Sequence, residues 1–132
     1  MAKTWKQKMV AKHEPHVEVL ERSYAGVPIG GKLFIATPEL VKSYLDKIPD
    51  GKSETVQELR DNLAKTRDAD TTCPMSTGIF VRIVAECALE DLAQGEKDVT
   101  PFWRVVDPKS PLAKKLSCGP DWIRERRAME GI

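Results

Sequence analysis

The sequence predicts a mainly α-helical domain carrying a small β-hairpin. Three observations carry this expectation. Three amphipathic helical patterns follow one another between residues 37 and 92, an aromatic and β-branched run follows from Thr100 to Val106, and a proline-rich turn comes directly after it.

The first helix is expected to open at Thr37, a good N-cap, with Pro38 in the first turn, where a missing amide proton costs nothing. Leu40, Val41, Tyr44, Leu45 and Ile48 then recur at helical spacing, and Pro49-Asp50-Gly51 closes the helix as a turn. A second helix is expected from Thr55-Val56-Gln57-Glu58, a capping box, with Val56, Leu59 and Leu63 on one face. Lys65 to Thr72 reads as a polar connection, longer than a tight helix-turn-helix turn. A third helix is expected from about Ser76 to Leu92. Its buried stripe is Ile79, Phe80, Ile83, Val84, Cys87 and Ala88, and Gly95 stops it. Thr100 to Val106 reads as a strand and Asp107-Pro108-Lys109-Ser110-Pro111 as the tip of a hairpin. A short last helix, Pro120 to about Met129, offers Trp122, Ile123 and Met129 to the core.

Residues 1–31 stand apart as an N-terminal extension, and 32–132 form the domain. Lys3, Lys6, Lys8 and Lys12 precede the first acidic residue, Glu14, and Gly30-Gly31 marks the boundary. Bulk composition excludes little. Twenty-one Lys and Arg against twenty Asp and Glu leave a net charge of +1, so any nucleic-acid affinity must come from local clusters. Cys73, Cys87 and Cys118 form no C-x-x-C pair, which points to reduced thiols and a cytoplasmic setting. No apolar run is long enough to span a bilayer, and the first residues lack a signal peptide's hydrophobic stretch.

Three helices followed by a strand pair is the order of a winged helix-turn-helix, which lays its third helix in a DNA major groove. Three short stretches then resemble the DNA-binding domain of the alkylguanine-DNA alkyltransferases. Pro101-Phe102-Trp103-Arg104-Val105 stands where that family has Pro-Cys-His-Arg-Val. Gly51 to Leu59 is similar to its Gly-x-x-x-Ser-Tyr-Gly-Glu-Leu, and Glu130-Gly131 matches its closing Glu-Gly. The resemblance covers roughly residues 37 to 132 and implies a winged helix of the alkyltransferase C-terminal type.

The departures from that pattern decide the expected chemistry. The family moves an alkyl group from a guanine oxygen onto a cysteine thiolate held by histidine and glutamate. Phe102 has no nucleophilic atom, Trp103 is not a base, and Glu130 stands without partners for a relay, so the chain is not expected to be an enzyme or to use a cofactor. The resemblance is then to alkyltransferase-like proteins, which lack the cysteine but keep DNA binding and nucleotide flipping. The flipping tyrosine aligns with Val56 and the arginine finger falls near Thr77-Gly78, so both flipping residues are replaced here. The family's Asn-x-Pro hinge is also missing.

Two function classes follow. One is a non-enzymatic DNA-binding protein that recognises alkylated duplex DNA or assists repair. It uses Ser76, Thr77, Gly78 and Arg82 on the third helix and Lys109 and Lys114 on the wing, with Lys115, Arg124, Arg126 and Arg127 as further basic groups. The other is a protein- or ligand-binding module on a degenerate scaffold. There Val56, Pro101, Phe102, Trp103, Arg104 and Glu130 mark a plugged pocket, and the acidic end of the third helix, Glu86, Glu90 and Asp91, repels a phosphate backbone. Arg104 is expected to brace the strand by ion pairing. His13 and His16 beside Glu14 and Glu18 are read as solvated charge rather than a metal site.

Overall fold

The computed structural model describes residues 3–132. It opens on a four-residue helix, α1 (Trp5–Lys8), started by a capping box in which Thr4 and Gln7 satisfy each other's amides. The chain then extends into β1 (His16–Val19), which pairs antiparallel with β2 (Lys32–Ile35) across the Gly30-Gly31 boundary. Gly31 is required by crowding. A Cβ there would lie 2.2 Å from a Val27 methyl carbon, far inside contact distance.

The helix caps form as the residue types demand. Thr37 accepts from the Leu40 amide at 3.3 Å and starts α2 (Pro38–Asp46). Thr55 and Glu58 exchange their capping hydrogen bonds at the start of α3 (Val56–Lys65). The connection after α3 holds a two-residue strand, β3 (Thr71–Thr72), which adds parallel to β2 and completes a three-stranded sheet ordered β1-β2-β3. α4 (Pro74–Ala93) is the central helix, buried over much of its length and stopped at Gly95, whose φ is +94°.

The predicted wing is absent. Thr100 to Val106 is not a strand. Its centre is a 3₁₀ turn, Phe102–Arg104, in which the Val105 amide donates to the Phe102 carbonyl. Every residue from Thr100 to Val106 except Arg104 is buried. A half-buried strand would alternate. The aromatic and β-branched run signals a segment threaded through the core, not β conformation. Asp107 to Pro111 is no hairpin tip either. Asp107 accepts from the Lys109 amide at 2.8 Å, and Ser110 caps another helix, α5 (Pro111–Lys115). The last helix, α6 (Gly119–Met129), buries Ile123 fully and Trp122 partly, but Met129 is 77% exposed and takes no part in the core. The architecture is thus mainly helical with a small sheet built from strands between residues 16 and 72.

The core packs Phe34, Val41, Leu45, Leu59, Val81, Val84, Phe102, Val105, Val106 and Ile123 into one cluster. Among the described residues no helix is long and apolar enough to cross a membrane.

Candidate functional site

The signature segment meets α6 at a carboxylate. Glu130, at the C-cap of α6, accepts from Arg104 twice, Nε at 2.8 Å and Nη2 at 3.0 Å, and from the Trp103 indole Nε1 at 2.7 Å. The Gly51 amide adds a fourth bond at 3.2 Å. The Arg104 guanidinium, helped by Trp103 and Gly51, outweighs burial and holds the Glu130 carboxyl down to about 2. Arg104 spends its remaining nitrogen on the Ile48 carbonyl at 2.6 Å. Arg104 is therefore ion-paired, but it ties a 3₁₀ turn to the end of α6 and not the strand it was expected to brace. Glu130 is far from idle.

Phe102 fills the core instead of lining an opening. Its side chain is 0% exposed, stacked on Trp122 with ring centroids 5.6 Å apart and edge-on to Trp103 at 5.4 Å. Trp103 is 3% exposed, so neither aromatic is free to stack an extruded base. Pro101 is buried beside them. Around this knot lie residues the sequence reading did not single out as a group. The Arg126 guanidinium covers the Trp103 ring at 4.6 Å and the Trp122 ring at 5.6 Å, and Arg127 Nε donates to the Trp103 carbonyl at 2.7 Å. A signal for this existed, since Trp122, Arg126 and Glu130 fall at i, i+4 and i+8 on one face of α6.

Val56 is half-buried at the start of α3, apart from the knot. It borders a cleft of about 390 Å³ shared with Thr55, Val105, Ser110 and Arg127. The degenerate-pocket residues are thus divided. Pro101, Phe102, Trp103, Arg104 and Glu130 are one packed unit, and Val56 faces a separate opening.

The six DNA-binding candidates are divided as well. Thr77 is 0% exposed and its hydroxyl donates to the Cys73 carbonyl at 2.6 Å, so it cannot reach a groove. The Ser76 hydroxyl oxygen is buried. Gly78 has open space at its Cα. Arg82 is covered by the N-terminal arm. Its guanidinium sits 5.4 Å from the Trp5 ring centroid, and its Nε is buried without a partner. Ile79, expected in the buried stripe, is 53% exposed. Lys109 and Lys114 are exposed, and Lys109 joins Arg124 and Arg127 around a depression of about 250 Å³.

The remaining polar groups hold structure together. Tyr44 donates to the Glu54 carboxylate and accepts from Asn62 at 2.7 Å, and desolvation with the Glu54 bond pushes its phenol up to about 12. Burial pushes the Cys87 and Cys118 thiols up. Burial also opposes the Cys73 thiolate, but bonds from Ser76, Tyr24 and the Met75 amide outweigh it and leave that thiol below its ordinary value. His16 bonds the Glu14 carbonyl at 2.9 Å and the Glu18 carboxylate at 3.0 Å, and the described residues contain no cluster of three or more metal-ligating side chains.

No family model, curated protein or solved structure matches this chain.

Proposed function

We propose that this chain is a non-enzymatic binding module on an alkyltransferase-like scaffold, with the alkyl-acceptor position converted to core. The observation that carries this reading is Phe102, fully buried against Trp122, in the motif that resembles the family's cysteine signature. Thiol transfer needs an exposed nucleophile, a base and room for the alkylated base. Phe102 supplies none of these. Arg104 and Glu130, which match the resembling motifs, are spent on each other and on Trp103 and so are accounted for structurally.

A protein or small ligand is the partner class that α4 favours. Reading a major groove needs exposed side chains at the start of the helix. Here Thr77 is internal, Arg82 is under Trp5, and the far end carries Glu90 and Asp91. Duplex DNA is the second reading, and one observation favours it. Lys109, Arg124 and Arg127 gather beside the Val56 cleft, where contacts to phosphates would need no recognition helix. On this reading the protein marks alkylated DNA or assists its repair.

Fluorescence anisotropy with a labelled duplex, between about 50 and about 200 mM salt, separates the two. The module reading expects no salt-sensitive binding. Binding that falls steeply with salt and is lost in the Lys109→Glu/Arg124→Glu double variant would establish the DNA reading instead.

A further inference from the structure

The N-terminal arm does not lie flush on α4. Between them runs a solvent-open groove of about 470 Å³, within the range of ligand-binding clefts. Its floor is apolar, formed by Ile79, Phe80 and Ile83 of α4 with Val10 of the arm. Val10 is 70% exposed, and Met75, one helical turn before Ile79, prolongs the strip at 69%. Apolar side chains left this open in a contiguous strip mark an interaction site more often than scattered ones do.

The rim is cationic. Lys3, Lys8, Lys12 and Arg82 line the groove, and no Asp or Glu does. Among the described residues, Lys3, Lys8 and Lys12 form no ion pair with any carboxylate. Lys12 sits close enough to Lys3 to push its ammonium pKa down. Burial and charge each specify half of the occupant, which must be apolar on one side and anionic at its edges. A nucleic-acid strand fits poorly, because stacking needs a free aromatic face and the Trp5 ring already carries Lys8 at 4.3 Å and Arg82 at 5.4 Å.

We propose that this groove docks an acidic amphipathic helix of a partner protein. Its apolar residues, at i, i+3, i+4 and i+7, lie on Val10, Ile79 and Ile83, and its flanking carboxylates meet Lys8 and Lys12. The proposal rests on the binding-module reading and specifies the partner's chemistry.

The test is an anisotropy titration of the full chain against three labelled peptides of about 15 residues. One is an amphipathic helix with Leu at i, i+3, i+4 and i+7 and Glu elsewhere. The second is the same composition scrambled, and the third is oligoglutamate. The amphipathic peptide should bind at least about tenfold tighter than either control, a difference of about 1.4 kcal/mol. Ile79→Asp and the Lys8→Glu/Lys12→Glu double variant should each weaken it about tenfold, with thermal melting unchanged in the first and lowered in the second by no more than loss of the Trp5–Lys8 contact explains. Equal binding of the controls, or of the two variants, would overturn the groove proposal and leave the module reading standing. Failure of every peptide also overturns it, and if the duplex then binds in a salt-sensitive way the module reading falls too.

Discussion

The C-terminal knot and the N-terminal arm are both charged attachments to the same core, but they are fastened in opposite ways. At the knot, Glu130 and Arg104 are nearly closed off from water, 11% and 13% exposed at their side chains, and Arg104, the Trp103 indole and the Gly51 amide all donate to one carboxylate. At the arm, Lys6 meets Asp91 at 2.5 Å in an exposed pair, and Trp5 lies under two cations. An enclosed, multiply bonded charge is costly to break, whereas an exposed pair is worth little. The knot is therefore a fixed part of the scaffold. The arm is a cover that rests on α4 and leaves a groove beneath it.

Substitutions should sharpen that contrast, beginning with the largest effect. Phe102→Ala should cost about 3–5 kcal/mol in urea unfolding, because a fully buried ring leaves a cavity among Trp103, Trp122 and Ile123. Glu130→Ala should cost about 3 kcal/mol by the same measurement, since it strands Arg104 in a largely enclosed site. A loss below about 0.5 kcal/mol, the size of an exposed pair, would erase the distinction between the two regions.

The pH dependence follows from the same carboxylate. Glu130 is held at about 2, below its ordinary 4.5, so its contribution to stability is present above the ordinary value. It is lost as pH falls from about 4.5 through about 2. Chemical unfolding across that window should show a shallower acid decline in Glu130→Gln than in the wild type. At the arm, Trp5→Ala should lower stability by about 1 kcal/mol, the scale of a cation–π contact with its modest burial. Lys6→Ala should change it by less than about 0.5 kcal/mol, readable as a near-identical denaturation midpoint.

How much of this was legible in the sequence depends on the kind of signal. Caps are local chemistry, and Thr37, Thr55 and Gly95 mark helix ends as their residue types require. Thr100 to Val106 misled because β-branched and aromatic residues report burial as readily as strand, and only tertiary context separates the two. The place of the arm was illegible because a four-residue helix shows no periodicity, and its contacts with Arg82 and Asp91 span most of the chain. Thr77 shows the ambiguity at a single residue. A small side chain at a helix start suits a DNA groove or close internal packing equally well, and here it is packed. Arg104 and Glu130 stood out in the sequence, but their pairing depends on α6 returning to the signature segment.

The most direct test of the proposal that the protein is a binding module without alkylguanine recognition is a comparative titration. The wild-type protein is titrated at low salt with two labelled duplexes that differ in a single O6-methylguanine. With Phe102 and Trp103 packed inside, the two dissociation constants should agree within about twofold, a difference under about 0.5 kcal/mol. Binding of the methylated duplex more than about tenfold tighter would contradict the account.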